Sequence, residues 1–438
     1  MIASLMNHDA YAALKIPDFR WYLAGNLPNL VALNMQTVAI SWEIFDRTKS
    51  YENLALVGLV QIIPVIGLFM PAGHLIDRVD RKKTLILALA SSALWSAGLL
   101  LCSLTVAPLW CIYALLLLIG VARTFVQPAR SAFLPQIVPR EIFTSAVTWH
   151  TSTFQLSTVV GPALAGGLIG LTGSRHWPPG APRGPALIYA LTAAMALVNC
   201  CCLAMIRPRP YVRSTEPPSL AALAGGVAFV WKTKVILGAM TLDMFAVLLG
   251  GATALLPGYA KDILHVGPAS FGLMRAAPGI GAVSMSFFMA HRPPIEHAGR
   301  TLLWAVAGFG LATIVFGLSE WFPLSLVMLF VLGALDMISV VIRHTLVQLL
   351  TPDSMRGRVS AVNGMFIGVS NELGEFESGM VAHLFSRSDD LRFGPLVSAV
   401  SGGVGTLVIV GLVGLFWPPL RKYGRLGGTP HPEEPVQA

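Results

Sequence analysis

Arg81-Lys82-Lys83-Thr-Leu-Ile-Leu-Ala-Leu-Ala-Ser-Ser-Ala-Leu-Trp95-Ser-Ala-Gly98-Leu-Leu-Leu-Cys102-Ser-Leu-Thr-Val106 sets three cations against a run, 84–106, without a charged residue. At 1.5 Å of rise per helical residue, such a run crosses the roughly 30 Å of a bilayer's hydrocarbon. The pattern repeats on both sides. Predominantly apolar runs lie at 19–45, 54–76, 109–128, 143–171 and 186–206. Beyond a stretch rich in Pro, Arg and Ser they resume at 235–260, 268–290, 301–319, 322–345, 359–385 and 394–417. Of 438 residues, 55% are hydrophobic and 12% charged, about half the charge of a soluble domain, and mean hydropathy is +0.68. The composition excludes an ordinary soluble protein. It predicts an all-α integral membrane protein with twelve transmembrane helices.

Loop charge sets the expected orientation. With the N-terminus inside, inner segments hold about 20 of the 30 Lys and Arg residues and outer loops about 7, a bias that places both termini in the cytoplasm. The net charge of +8 is thus a topology signal, with membrane lipid headgroups rather than nucleic acid as the partner. Trp21, Trp42, Trp110, Trp231, Trp304, Trp321 and Trp417 fall near span ends, as interfacial belts require. The five cysteines show no metal-ligand or disulfide-framework spacing. No cleavable signal peptide is expected before the first span.

The spans divide into two sets of six. Arg130, Pro139, Ser157 and Gly161 each have an identical residue 213 positions later, at Arg343, Pro352, Ser370 and Gly374. Both runs join an even span to the next odd one through an inner loop, which points to duplication. The expected organisation is a half over 1–206, a cytoplasmic linker at 207–234, a half over 235–420 and a cytoplasmic tail at 421–438.

The loop after span 2, Gly73-His-Leu-Ile-Asp77-Arg78-Val-Asp80-Arg81-Lys82-Lys83, resembles the signature loop of the major facilitator superfamily. Gln127-Pro-Ala-Arg130-Ser-Ala-Phe-Leu-Pro135-Gln is similar to one branch of it, the group related to the enterobactin exporter. So is Arg356-Gly-Arg358-Val-Ser-Ala-Val-Asn363 with Ser370-Asn371-Glu372-Leu-Gly374-Glu375-Phe-Glu377-Ser-Gly379. Gly161-Pro162-Ala-Leu-Ala-Gly166-Gly167 is similar to the G-P-x-x-G-G motif of proton-coupled exporters, with three residues after Pro where that motif has two. The counterpart of the signature loop, His297-Ala-Gly299-Arg300, lacks the acid. The resemblance implies the major facilitator fold and an exporter of small organic molecules. It also places span 2 against span 11. There Asp77 would favour the outward-facing state by meeting Arg130, Arg358 or the positive end of span 11, which gives a gating set of Gly73, Asp77, Arg78, Arg81, Arg130 and Arg358.

Polar residues inside spans are the next signal, because a charged side chain at a helix centre costs about 2.5–3.5 kcal/mol on insertion scales. Asn29, Gln36 and Glu43 recur every seven residues and form one stripe. The stripe is either a cavity wall or interhelical hydrogen bonding. Arg123, Gln127 and Arg130 share a face of span 4. Asp243 lies roughly 12 Å deep in span 7 and Asp336 roughly 21 Å from the outer end of span 10. Each must be paired, hydrated or protonated, and Arg343 is a candidate partner of Asp336. Asn371, Glu372, Glu375 and Ser378 share a face of span 11. The expected substrate cavity therefore holds Asn29, Gln36, Glu43, Arg123, Gln127 and Asn371. The proton-coupling candidates are Asp243, Asp336, Glu372 and Glu375, against the alternative of packing networks. Arg275 opens span 8, where snorkelling to the outer interface accounts for it.

The resulting expectation is a proton-coupled exporter of siderophore- or drug-like molecules in the cytoplasmic (inner) membrane, working as a monomer without cofactor. Its partners are the small-molecule substrate, protons and lipid. Two alternatives stand: a multispanning enzyme, for which Asp389-Asp390 is the best feature but lacks a second acidic motif, and a non-transporting receptor on the same fold.

Overall fold

The computed structural model describes residues 11–172, 183–209, 220–293, 295–352, 355–387, 390 and 392–426, with side chains at all of them except 69–78, 140, 220–223 and 252. Long helices occupy every run that hydropathy marked. They are α1 (Pro17–Thr48), α2 (Tyr51–Arg78), α3 (Arg81–Leu104), α4 (Leu109–Ile137), α5 (Phe143–Thr172), α6 (Arg183–Met205), α7 (Lys234–Leu249 and its continuation), α8 (Pro268–Ala290), α9 (Ala298–Leu318), α10 (Phe322–Leu350), α11 (Arg356–Leu384) and α12 (Phe393–Phe416). Among the described residues, ten helices are apolar enough to span a membrane on composition alone. The two that are not, α1 and α11, carry Asn29, Gln36 and Glu43 and Asn371, Glu372 and Glu375. The second part of the expected linker is itself helical, Leu220–Lys232. This linker helix lies over the start of α11, with Gly226 on the Arg358 backbone.

The duplication read from four identities continues in the packing. A Cβ on Gly161 would meet Asn34 and Met35 of α1, and one on Gly374 would meet Val247 and Leu248 of α7. Positions 34 and 247, like 35 and 248, are again separated by 213. Ser157 and Ser370 make the same bond, each hydroxyl donating to the carbonyl three residues earlier. The halves meet where α2 packs on α11 and α5 on α8. Small residues permit both crossings: a Cβ on Gly166 would lie 2.6 Å from the Gly272 Cα, and one on Gly379 2.8 Å from the Ala55 Cβ.

α7 departs from the uniform span expected at 235–260. Gly250-Gly251 interrupts it, and a 3₁₀ turn (Ala252–Leu255), a short turn (Leu256–Gly258) and a π-helical turn (Tyr259–Ile263) follow. Gly251 rests against the Gly374 carbonyl of α11 and Gly250 against the Phe309 ring, an approach that a side chain would block. Glycines look apolar in a hydropathy window, so the break was invisible there.

The cores differ at the two ends of the bundle. At the end away from the linker, one cluster spans both halves, joining Trp42, Phe45, Tyr51 and Leu54 to Tyr259, Ile263, Phe271 and Met274. At the linker end, the described clusters stay within one half: Phe19, Tyr22 and Phe133 in the first, Leu242, Leu302 and Leu346 in the second.

Candidate functional site

The middle of the bundle holds a polar crossing between the halves. Arg123 lies halfway along α4 and Glu372 slightly past halfway along α11, so each sits roughly 20 Å from its helix start. The Arg123 Nη1 donates to Gln61 Oε1 of α2 at 3.1 Å and stands 3.9 Å from Glu372 Oε1. The Arg123 side chain is 60% exposed and that of Glu372 15%. One charge from each half therefore meets at a partly wet site, where separation of the halves breaks the link without stranding a dry ion. Asn371 and Gln127 are exposed beside this pair in sequence. Glu375, one turn along α11, acts electrostatically on Arg275 of α8. Arg275 does not snorkel. Its Nη1 donates at 3.1 Å to the Thr253 carbonyl, one of the backbone groups freed where α7 breaks, and such groups need a partner at membrane depth.

A second charged cluster is internal to the C-terminal half. Asp243 and Arg343 pair at 2.9 Å, both about 95% buried. Ser339 donates to Asp243 at 3.3 Å, and Arg343 Nη1 donates to Asn363 Oδ1 of α11 at 3.4 Å. Asp336 lies within electrostatic reach of both members of the pair. The direct partner of Arg343 is thus Asp243, a hundred residues away in sequence, rather than Asp336 two turns along the same helix.

The stripe on α1 turns into the N-terminal half. Gln36 Oε1 accepts from Ser96 of α3 at 2.9 Å; Glu43 accepts from Tyr189 of α6 at 2.9 Å and pairs with Arg47 at 3.4 Å. Asn29 is fully buried. At Gln36 and Glu43 the geometry is that of interhelical bonding, whereas the Asn29 amide has no hydrogen-bond partner among the described residues. Arg130 is buried against Tyr22 and His150.

The signature loop works as a clasp. Asp80 caps α3 through the Lys83 amide, Arg81 donates to the Ala132 carbonyl of α4, and Lys82 donates to the Ala204 and Ile206 carbonyls at the end of α6. Cations there satisfy the orphan carbonyls of helix C-termini. Gly73, Asp77 and Arg78 belong to the last turns of α2, and their side chains, with the proposed Asp77 contacts, lie outside the described residues. Arg358 is exposed where the linker helix crosses.

Hydropathy gave no hint of the closure at the end away from the linker. Asp46 of α1 pairs with Lys261 of the π-turn in α7. The Lys261 ammonium also sits 4.2 Å from the Trp42 ring centroid, and Trp42 packs on Phe271. At span ends, Asp46 and Lys261 look like ordinary loop charges; only their opposite signs on opposite halves hinted at a pair.

A sequence profile of the transmembrane secretion effectors matches residues 8–410. The enterobactin exporter EntS of Citrobacter koseri is 28% identical over 399 residues, covering 91% of each chain. The protein of that name from Escherichia coli O1:K1 / APEC is 27% identical over 409 residues, covering 93% of each. Among solved structures, a bacterial homolog of the human lysosomal transporter Spinster, inward-facing and occupied, superposes with a TM-score of 0.69 at 14% identity, covering 92% of this chain and 96% of that one. A D-xylose–proton symporter gives 0.68 at 13%, covering 94% and 100%. These likenesses carry the fold. With two repeated six-helix halves meeting at a charged midpoint, the chain belongs to the transmembrane secretion effectors and is a multi-pass membrane transporter of the major facilitator type.

Proposed function

We propose that this transporter is an inner-membrane exporter of siderophore-like organic molecules, driven by proton antiport and with both termini in the cytoplasm. Similarity to enterobactin exporters along nine-tenths of the chain supports the direction and the cargo class. The loop bias of Lys and Arg supports the orientation, in which the linker end faces the cytoplasm. The shared core at the opposite end, beside cores that stay separate at the linker end among the described residues, supports an inward-facing state.

The observation that carries the mechanism is the Arg123–Glu372 pair. Alternating access needs a midplane site whose interactions differ between states. Ionised Glu372 and Arg123 together hold the cargo on the cytoplasmic side, a proton taken up by Glu372 from outside releases it, and loss of that proton to the cytoplasm restores the site, so proton and cargo occupy it in turn. Asp243, Asp336 and Glu375 are the further proton-carrying candidates. Efflux of siderophore-type compounds from cells with and without the protein tests the export. In proteoliposomes, Glu372→Gln is expected to abolish pH-gradient-driven flux and, as a fixed mimic of the protonated acid, to weaken cargo binding. Full gradient-driven flux in Glu372→Gln removes that residue from coupling.

A further inference from the structure

We propose that Arg130, with Tyr22 and His150, forms an anion-binding site inside the N-terminal half that takes a carboxylate or comparable small anion. Arg130 is 5% exposed, and its Nη2 is buried without a hydrogen-bond partner among the described residues. Its electrostatic neighbours there are Tyr22, whose hydroxyl is 3.0 Å from His150 Nδ1, and His150 itself. No acid acts on it among the described residues. A guanidinium cannot shed its proton, so a buried one needs a counter-charge.

The other half shows what such a counter-charge looks like. Arg343 stands 213 positions after Arg130 and is met by Asp243 at 2.9 Å and by Asn363 at 3.4 Å. Subtracting 213 turns Asn363 into His150 and Asp243 into Leu30, a buried leucine. The fold thus provides a place for an anion beside this arginine, and among the described residues of the N-terminal half no acid fills it. Donors continue outward from it. Asn26 and Asn29 follow Tyr22 at helical spacing on α1, and their buried Nδ2 groups have no partner among the described residues. The amide oxygens of Asn29 and Asn199 are also unpartnered among the described residues; a neutral water would serve such groups, but it would not neutralise Arg130. An acceptor-only anion would.

The anion has two sources: a carboxylate of the cargo, an assignment that rests on the exporter reading, or a free inorganic anion, which does not. Thermal unfolding of the purified full chain in detergent separates them, with sodium benzoate or sodium chloride replacing sodium isethionate, whose weakly basic sulfonate is a poorer acceptor than a carboxylate, at fixed ionic strength. A saturable rise of several degrees in the midpoint is expected. A benzoate shift beyond that of chloride assigns a cargo-type carboxylate, and equal shifts assign an inorganic anion. Arg130→Gln is expected to lose both shifts while unfolding no earlier than wild type in isethionate, because it removes an uncompensated charge. Should Arg130→Gln not fold, Arg130→Lys is expected to fold and to raise the half-saturating concentration several-fold, since an ammonium lacks the planar fork. No shift in wild type, or an unchanged one in either variant, overturns the site. The readout needs no transport: a missing shift with intact efflux removes the site and leaves the exporter reading standing, while a shift without efflux does the reverse.

Discussion

The two halves share one register and distribute charge differently. In the C-terminal half, Arg343 is closed off by Asp243, Ser339 and Asn363 bind the pair, and Asp336 stands nearby. In the N-terminal half, the equivalent Arg130 faces a tyrosine and a histidine, and the acid's place is held by Leu30. Among the described residues, the C-terminal half is electrostatically self-contained there, whereas the N-terminal half is not. Among the described residues the halves are joined by Arg123–Glu372 at midplane and, at the end away from the linker, by Asp46–Lys261 and by His383 of α11 standing 3.5 Å from Glu52 of α2. The two halves keep one scaffold, and a few charges make them unequal.

Removing Asp243 should produce the largest effect. Asp243→Ala strands a dry guanidinium, and breaking a buried pair from one side costs about 3–5 kcal/mol. The expected outcome is a lower unfolding temperature and poor recovery of folded protein, partly rescued by Arg343→Met in the same chain. Arg130→Gln, by contrast, should leave the unfolding temperature in isethionate no lower than wild type. Equal losses from Asp243→Ala and Arg130→Gln would erase the distinction between the halves.

A transplant probes the same difference at intermediate size. Leu30→Asp places an acid where the repeat puts Asp243, so it should pair with Arg130 and abolish the anion-dependent stabilisation. A double-mutant cycle with Arg130→Gln should give a favourable coupling of about 0.5–3 kcal/mol between the new acid and Arg130. Zero coupling would mean that the register agreement does not extend to side-chain placement here.

These contrasts also mark how far the amino-acid pattern carries. Span positions were legible because each crossing must bury its backbone in apolar surroundings, and the 213-residue repeat was legible because glycines at helix crossings and paired serines tolerate little change. Partner choice was not. Asp243 meets Arg343 and Arg123 meets Glu372 only after packing brings distant helices together, and one-dimensional spacing favoured Asp336 as the neighbour of Arg343. The stripe of Asn29, Gln36 and Glu43 was visible, but its direction depended on the rotation of α1 about its axis, which the serine of α3 and the tyrosine of α6 reveal. Arg275 was misread because the carbonyl it serves is created by the break at Gly250-Gly251.

The smallest effect belongs to the Asp46–Lys261 pair at the end away from the linker. Asp46 lies between two cations, 3.0 Å from Lys49 of its own helix and in contact with Lys261 of the other half. It is 42% exposed, so the pair is worth about 0.2–1 kcal/mol, which corresponds to a change of about 1.4- to 5-fold in a two-state ratio. Asp46→Asn removes the attraction and leaves Lys49 and Lys261 to repel each other, which places it toward the upper part of that range. Trp42 stays to hold Lys261 through its ring face, so folding is expected to be unaffected. Spin labels on cysteines replacing Thr105 and Trp321, in far-end loops of the two halves and in a background without native cysteines, report the separation directly. The longer-distance population should grow in Asp46→Asn at low salt, and added salt should shrink the difference from wild type because exposed charges are screened within about 10 Å at 0.1 M. Identical distance distributions at low salt would show that the apolar cluster around Trp42 and Phe271 closes this end by itself, with the ion pair as a bystander.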